Sequence, residues 1–303
     1  MRSTALLARA VLALAAAAAP LAHAAFSDTP ATADRHFLWE VSSLTTHVYL
    51  YGTVHAGKVS WFPLPPAVEG ALEDSQVLVV EADITDSKAL ARTTPAMKLK
   101  PGDLLKNHVD AGDYAKFVTL LPRYSLTEKA VTDMKPFMAV SVLVFGEWAR
   151  NGYLPQYGID AYLIAKARDE GKRVVEIEGI EAQAALMDSL TEDESRKLFK
   201  GTVDALDTGL TGDQVNGMVS AWQAGDAPAM LQIARRYNET VPGAKEFEEK
   251  FIWSRHAAML EKIEGYLNSP RDRYFIAVGA LHLAGERGLV EMLRKRGYVV
   301  VQR

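Results

Sequence analysis

The sequence predicts an α/β fold, because strand-like segments occur at both ends of the chain and helix-like segments fill its middle. Residues 37–84 contain two strand candidates, a short helix and a third strand candidate, and residues 273–303 contain a strand, a helix and a final strand. Between them, roughly over residues 88–270, the apolar periodicity is that of helices. We therefore expect a mixed β-sheet built from the N- and C-terminal segments, with a large helical insertion between them.

The opening strands are predicted from their composition. The segments FLWEVSS and HVYLYGTVH are rich in β-branched and aromatic residues and flank LTT, which indicates a hairpin. The stretch WFPLPPAVEGALEDS begins as a proline-stiffened turn and continues as a short helix. The segment QVLVVEADI is mostly apolar and β-branched, which is typical of a buried strand.

Helical patterns dominate the middle of the chain. The run KPFMAVSVLVFGEW carries a long apolar face, and the amphipathic segment GIDAYLIAKARDEGK leads into RVVEIEG, a further strand candidate. The segment TEDESRKLFK begins with Thr191 and has Glu194 three residues later, the pattern of a capping box at a helix start.

The tail of the chain has the pattern of a β-α-β unit. The segment RYFIAVGALHLA predicts a strand, GERGLVEMLRKRG a helix, and YVVVQR a final strand. Such a unit suits a parallel pairing of its two strands.

The first 24 residues have the composition of a secretory signal peptide. Arg2 and Arg9 give a positive start, an alanine-rich apolar stretch follows, and an A-x-A cleavage site ends the segment. The stretch is broken by Pro20 and is too short to span a bilayer comfortably, although a retained anchor is the alternative. We expect residues 1–24 to be removed on export, most simply to a Gram-negative periplasm, leaving residues 25–303 as one α/β domain without a stable membrane span.

Composition excludes several classes of function. The chain has a formal net charge of −4 and no basic run, which argues against a nucleic-acid partner. It has no cysteine, so disulfides, thiol nucleophiles and zinc-thiolate sites are excluded, and any metal must be held by His, Asp, Glu or backbone oxygen. The motifs HExxH, GxSxG, GxGxxG and the Walker loop are absent.

A Gly-x-x-His phrase occurs twice, each time after a strand candidate. The first runs from Gly52 to His55 and the second from Gly279 to His282. We expect both histidines at the carboxyl ends of strands, the edge where open α/β sheets bind their ligands. Each glycine, lacking a Cβ, is expected to leave a gap behind its histidine.

A carboxylate joins the two histidines in this interpretation. Glu81 ends a third strand candidate, with Asp83 two residues later on the same face. Two imidazoles and a carboxylate suffice for a divalent metal with open positions, which lowers the pKa of bound water and polarises a carbonyl. Metal-assisted hydrolysis is therefore the chemistry that these residues best allow. The alternative is that each histidine is a hydrogen-bonded structural residue, since one GxxH occurs often by chance.

Taken in order, these motifs resemble the TraB/PrgY/GumN family, which includes the TIKI metalloproteases. The segment FLWEVSS…VYLYGTVHAG resembles the opening strand pair and first GxxH of the family, and VLVVEAD its acidic strand. The segment YGIDAYLIAKARDEGKRVVEIEGIEAQAALMDSL is similar to its middle signature, WSRHAAMLEKI to its late arginine helix, and YFIAVGALHLAGERGLVEMLRKRGY to its closing segment. The similarity extends over nearly the whole chain after residue 24.

The resemblance implies a fold and an activity. The fold is a mixed α/β one related to the haem-associated ChaN and erythromycin-esterase-like proteins, with the helical insertion capping the site. The activity is metal-dependent hydrolysis of a peptide or another small amide or ester. By motif, His55 and His282 are metal ligands and Glu81 is a ligand or general base, with manganese or cobalt as the metal.

Two further residues are expected to complete the pocket. Asp160, from the YGID motif, is either a site carboxylate or a helix-capping residue. Arg255 either clamps a carboxylate of the substrate or forms a surface ion pair. At the next position the family commonly has asparagine, whereas this chain has His256. This histidine either alters the contact that the asparagine makes or supplies another imidazole, and we leave it out of the metal set.

Two more residues are expected to support the site from behind. Tyr157 either donates a hydrogen bond to an oxyanion or packs as an ordinary tyrosine. Glu178 either orients a histidine or is an exposed charge at the end of a strand.

A non-catalytic protein is the alternative function. The same pocket suits a binding protein for haem, a metal ion or a signalling peptide, with the helical insertion as a lid. The sequence gives no indication of the oligomeric state.

Overall fold

A computed structural model of the chain describes residues 35–269 and 271–303. The predicted signal peptide, residues 1–24, lies outside the described residues. Within the described part of the chain, no helix is long and apolar enough to cross a membrane.

Six strands form one mixed sheet, which confirms the predicted fold class. They are β1 (Leu38–Ser42), β2 (His47–Thr53), β3 (Val77–Val80), β4 (Arg173–Glu176), β5 (Tyr274–Gly279) and β6 (Val299–Gln302). The strand order is β4-β3-β5-β2-β1-β6. The strands β4, β3, β5 and β2 pair in parallel, and the predicted hairpin of β1 and β2 is antiparallel.

The final strand does not pair with β5, so the predicted parallel pairing of the tail is wrong. Strand β6 pairs antiparallel with β1, and Val41 lies opposite Val300. Strands β5 and β6 nevertheless run in the same direction. Strand β2 is parallel to β5, β1 is antiparallel to β2, and β6 is antiparallel to β1. The hairpin occupies the place beside β5, and the tail must therefore reach the far edge of the sheet.

Helices occupy most of the chain between β3 and β5. The described α-helices are α1 (Pro66–Asp74), α2 (Ser87–Thr93), α3 (Ala111–Leu120), α4 (Glu128–Val131), α5 (Pro136–Arg150), α6 (Ile159–Asp169), α7 (Ile180–Asp188), α8 (Glu192–Asp207), α9 (Leu210–Gln223), α10 (Ala227–Thr240), α11 (Ala244–Phe251), α12 (His256–Leu267) and α13 (Leu289–Lys295). Strand β4 lies inside the range predicted as a helical insertion, as the segment RVVEIEG indicated.

Local sequence explains where several helices begin. The Thr191 side chain accepts a hydrogen bond from the Glu194 backbone, and the Glu194 side chain accepts one from Thr191, the capping box expected before α8. Asp86 and Asp226 cap α2 and α10 through their side-chain oxygens. These contacts satisfy backbone N–H groups that a helix start leaves without intrahelical partners.

The core is centred on the parallel strands. All four residues of β3 are buried, and in β5 only Tyr274 is partly exposed. Parallel strands covered on both faces require such continuous apolar runs. Helices α1, α6, α12 and α13 pack against the sheet through one apolar cluster, which includes Val68, Leu72, Leu163, Ile164, Ile263 and Leu289. The carboxyl ends of three neighbouring strands are thereby held in fixed register.

Gly52 permits a close approach of two chain segments, and the gap expected behind His55 is filled. A Cβ at Gly52 would lie 2.4 Å from Phe37 Cδ1 and 3.0 Å from Ala280 Cα. The glycine therefore allows the ends of β2 and β5 to pack together.

We expect Gly52→Ala to lower the free energy of unfolding by about 1–3 kcal/mol, because the new methyl group overpacks this contact. Gly265→Ala is the matched control, since Gly265 is exposed in α12 and nothing lies within 4 Å of an added Cβ. The control should leave stability unchanged or raise it by up to about 1 kcal/mol. Urea denaturation measures both, and an unaltered midpoint for Gly52→Ala would contradict the close packing.

Candidate functional site

The three residues predicted as metal ligands follow the carboxyl ends of three neighbouring strands. His55 lies two residues beyond β2, Glu81 directly follows β3, and His282 lies in a 3-10 turn that follows β5. Because β5 pairs with both β2 and β3, these side chains lie at one edge of the sheet. The charge of Glu81 acts on the pKa of both histidines, which reflects this proximity.

His55 is held by a carboxylate from the start of α6. Its Nδ1 atom lies 2.8 Å from Asp160 Oδ2, and the Thr53 hydroxyl donates to Asp160 Oδ1 at 2.7 Å. Burial by itself lowers the pKa of His55, but the Asp160 carboxylate outweighs burial and leaves that pKa above its ordinary value. With Nδ1 engaged, the Nε2 atom is the one that remains for chemistry.

Two glycines lock the His55 loop to the start of α6. A Cβ at Gly57 would lie 2.4 Å from the Tyr157 carbonyl oxygen, and a Cβ at Gly158 would lie 2.4 Å from the His55 carbonyl oxygen. The Ile159 N–H donates to the Val54 carbonyl at 3.0 Å. The YGID motif thus positions His55 through its backbone as well as through Asp160.

Glu81 is held by three donors from three parts of the chain. Its Oε1 atom accepts a hydrogen bond from the Gly279 N–H at 2.6 Å. Its Oε2 atom accepts from Arg255 and, at 3.1 Å, from the Gln183 amide. Burial alone would raise the pKa of Glu81, and the Arg255 guanidinium with the Gly279 N–H outweighs it and holds that pKa far below the usual range.

Arg255 is buried at the centre of the group, and all five of its N–H donors have acceptors. Its Nε and Nη2 atoms donate to the two oxygens of Glu178, and Nη2 also donates to Glu81. Its Nη1 atom donates to the Phe251 carbonyl at 2.8 Å and to His282 Nε2 at 3.1 Å. Such a bidentate and fully satisfied guanidinium fixes geometry more strongly than a single ion pair.

His282 is fully enclosed between Arg255 and a second histidine. It is 1 % exposed, and its Nδ1 atom lies 2.8 Å from His256 Nε2. Burial holds the pKa of His282 well below its ordinary value, and it lowers the pKa of His256 to about 4. Both imidazoles are therefore neutral at physiological pH.

The geometry distinguishes between the alternatives left by the sequence. Asp160 does not cap its own helix, since its two oxygens bind Thr53 and His55. Arg255 is not in a surface ion pair, and its carboxylate partners come from the protein itself. Glu178 neither orients a histidine nor stands as an exposed charge, because it forms a bidentate pair with Arg255.

Two predicted residues do not join the group. Asp83 turns away into its own loop, where it accepts from Thr85 and pairs with Arg168. The Tyr157 hydroxyl makes no hydrogen bond within the described part of the chain, and the residue contributes its backbone carbonyl to the packing against Gly57.

Sequence reasoning missed three residues of the site. His256 contacts His282, Gln183 contacts Glu81, and Thr53 contacts Asp160. A sequence signal existed for Gln183, which lies five positions after Glu178 in the middle motif, and for Thr53, which shares a strand face with His55. His256 was marked by its departure from the asparagine that the family commonly has, but its partner, 26 residues away, was not indicated by the sequence.

The donor set suits a divalent metal by its chemistry but not by its arrangement. Two imidazoles and one carboxylate are ligands that such metals accept. However, Arg255 donates to both Glu81 and His282, and its guanidinium uses the lone pairs that an ion would need. Across residues 35–269 and 271–303, no group of three or more His, Asp or Glu side chains is placed to hold a metal ion. The residues therefore do not fit a metal in this arrangement.

Comparison of the chain with models of known protein families identifies one match. The model of the TraB/PrgY/gumN family matches residues 37–302. The chain belongs to this family. The match includes every strand of the sheet and every residue of the candidate site, so the resemblance expected from the sequence is confirmed.

Relatives in this family carry two kinds of name. The chain is 26 % identical over 269 residues to "Uncharacterized protein YbaP" of Escherichia coli (strain K12), covering 86 % of this chain and 94 % of that protein. It is 23 % identical over 313 residues to "Metalloprotease TIKI homolog" of Amphimedon queenslandica, covering 87 % of this chain and 61 % of that protein. It is 21 % identical to "Metalloprotease TIKI1" of Danio rerio, covering 90 % of this chain and 64 % of that protein. No solved structure matches the chain.

We expect Arg255→Met to lower the free energy of unfolding by about 3–5 kcal/mol, because it leaves Glu81 and Glu178 buried without their counterion. Arg92→Met is the matched control. Arg92 forms an exposed ion pair with Glu181, and its loss should cost about 0–1 kcal/mol. Urea denaturation at neutral pH compares the two variants, and equal midpoints would show that the buried pair contributes no more than a surface one.

Proposed function

We propose that this protein is a peptidase-like hydrolase that cleaves an amide or ester bond of a peptide or similar small substrate. The observation that carries the proposal is the convergence of His55, Glu81, Arg255 and His282 at the carboxyl edge of three adjacent strands. Ligand sites of open α/β sheets occur at this edge. The TIKI relatives, whose names describe them as metalloproteases, support the reaction class.

In this proposal His55 accepts a proton from the water that attacks the carbonyl carbon, and it returns this proton to the leaving amine or alcohol as the amide or ester bond breaks. Asp160 binds its Nδ1 atom and orients the ring, which leaves Nε2 as the basic nitrogen. Asp160 is itself fixed by Thr53, so the base is supported by two successive hydrogen bonds. A positioned histidine with a carboxylate behind it recurs among hydrolytic sites on unrelated folds.

Arg255 supplies a fixed positive charge beside this base. Burial and, to a smaller extent, the charge of Arg255 act to lower the pKa of His55, against the larger opposing effect of Asp160. A preorganised cation in a buried site stabilises negative charge that develops nearby. Because its five N–H groups are engaged within the protein, Arg255 acts here through its charge and not through a direct hydrogen bond to the substrate. The Glu178 carboxylate holds the guanidinium in place during that change.

A more specific version of the proposal is that the hydrolysis depends on a bound metal ion. The ligands would be His55, Glu81 and His282, and a bound divalent ion, such as manganese or cobalt, would supply Lewis-acid chemistry. The names of the TIKI relatives, which describe metalloproteases, and the two imidazoles and one carboxylate of the site support metal dependence. The position of Arg255 opposes it, because that side chain must first release Glu81 and His282.

We also propose that the protein is exported to the periplasm and has no nucleic-acid partner. The alanine-rich leading segment supports export, and the net charge of −4 supports the absence of a nucleic-acid partner. N-terminal sequencing of the protein recovered from a periplasmic fraction tests the first point. A chain that retains residues 1–24 in the cytoplasmic fraction would contradict it.

We expect His55→Gln to reduce hydrolysis of a fluorogenic peptide and ester panel by about 100-fold or more, because the general base is lost. His108→Gln is the matched control, since His108 forms a comparable pair with Asp103 at 2.6 Å outside the site. The control should keep wild-type rates. Equal rates for both variants would exclude His55 from the reaction, and stoichiometric binding without product across the panel would favour a binding protein instead.

We expect the metal form of the proposal to be decided by elemental analysis of tag-free protein. About one equivalent of a divalent metal in the wild type, lost in His55→Ala and His282→Ala but kept in His108→Ala, would establish the site. Wild-type protein without metal, whose hydrolysis is insensitive to chelators, would remove the ion from the proposal. The second result would leave the roles of His55 and Arg255 intact.

A further inference from the structure

His282 lies in a continuous chain of hydrogen bonds that begins at Arg255 and ends at a backbone carbonyl. Arg255 Nη1 is 3.1 Å from His282 Nε2, and His282 Nδ1 is 2.8 Å from His256 Nε2. His256 Nδ1 is in turn 2.7 Å from the Arg287 carbonyl oxygen. Each imidazole nitrogen in the chain therefore has one partner.

Only one arrangement of protons satisfies this chain. A guanidinium N–H is always a donor, so His282 Nε2 must be the acceptor and must carry no proton. A carbonyl oxygen is always an acceptor, so His256 must carry its proton on Nδ1. The His256 Nε2 atom is then an acceptor, and the remaining proton lies on His282 Nδ1. The two ends of the chain fix both tautomers.

His256 is held rigidly enough to impose this arrangement. It begins α12, is 2 % exposed, and contacts the Trp253 ring edge-to-face with 5.3 Å between ring centroids. The same 3-10 turn, Trp253–Arg255, carries the guanidinium, so both partners of His282 come from one short segment. A displacement of this segment would move the two contacts together.

The alternative tautomer would alter the site. A proton on His282 Nε2 would face an Arg255 N–H, so that two hydrogen-bond donors would oppose each other. The His282 Nδ1 atom would then carry only a lone pair. Glu81 Oε1 is an acceptor, but at 3.5 Å from Nε2 it is too distant to offset this clash with a good hydrogen bond. The chemistry available at this edge of the sheet thus depends on which nitrogen of His282 carries the proton.

We propose that His256 is a positioning residue, which keeps the proton of His282 on Nδ1 and presents the bare Nε2 atom to Arg255. The inference deepens the proposed function, since it concerns a residue of the same site. Its direct test does not require turnover, so a failure of the hydrolase proposal and a failure of this inference are distinguishable. Removal of the partner that orients a metal-binding histidine commonly costs about 10–100-fold in affinity or activity, and we expect an effect of the same order for a partner that fixes the tautomer of His282.

Nitrogen-15 NMR of histidine-labelled protein tests the inference. In the wild type, we expect His282 as the Nδ1–H tautomer, with a scalar coupling across the hydrogen bond to His256 Nε2. The His282→Gln spectrum assigns the resonance by its loss. A wild-type His282 that carries its proton on Nε2, or that lacks the coupling, overturns the proposal whatever the variants do.

Two substitutions separate positioning from simple packing. His256→Phe keeps an aromatic ring against Trp253 but has no acceptor, so we expect the Nδ1–H population of His282 to fall and any hydrolysis to drop about 10–100-fold. His256→Gln retains an amide oxygen that accepts from His282 and an amide N–H that donates to Arg287. It should keep the Nδ1–H tautomer and recover most of the activity.

Unchanged His55 resonances and circular dichroism serve as the folding control for both variants. If His256→Phe retains the wild-type Nδ1–H population, Arg255 alone fixes the tautomer and the proposal is wrong. If His256→Phe does not fold, the wild-type coupling and the comparison with His256→Gln still decide. A loss of the tautomer in both variants contradicts the hydrogen-bonding role and leaves His256 as a packing residue only.

Discussion

The buried guanidinium of Arg255 joins four segments of the chain, and the geometry of the site depends on it. It binds Glu81 after β3, Glu178 after β4, the Phe251 carbonyl at the end of α11, and His282 after β5. A buried charge is tolerated only when it is paired and its hydrogen bonds are satisfied. With all five N–H groups engaged, the guanidinium meets that condition and fixes the positions of its partners.

The backbone supplies the second constraint. Gly52, Gly57 and Gly158 lie where a Cβ would approach another backbone or ring within 2.4 Å, and each brings a loop of the site against its neighbour. His55 therefore depends on the YGID segment for its loop conformation and on Asp160 for its ring orientation. The sheet edge, the loop packing and the charge network place the same few side chains together, and such agreement across levels specifies a single arrangement of the site.

Arg255 already occupies the place that a metal ion would take, because its guanidinium binds two of the predicted metal ligands. Glu81 and His282 provide lone pairs that a divalent cation uses, and in this arrangement an arginine already uses them. The proposed hydrolysis, with His55 as base and Arg255 acting through its charge alone, keeps this network intact, whereas metal binding requires the guanidinium to release Glu81 and His282. The family relationship is shown by the match over residues 37–302, and the metalloprotease names belong to relatives at 20–23 % identity.

The sequence by itself determined the local elements and their chemistry. Alternation and β-branched runs gave the strands, Thr191 and Glu194 gave a helix start, and the two GxxH phrases marked both histidines. The tertiary structure decided what these residues meet: β6 beside β1, Glu178 on Arg255, and His256 on His282. Helices and strands depend on the propensities and the apolar periodicity of residues that are neighbours in the sequence, so the sequence alone indicates them. Strand order and the proton positions of a buried histidine depend on partners distant in the chain, and only packing brings those partners together.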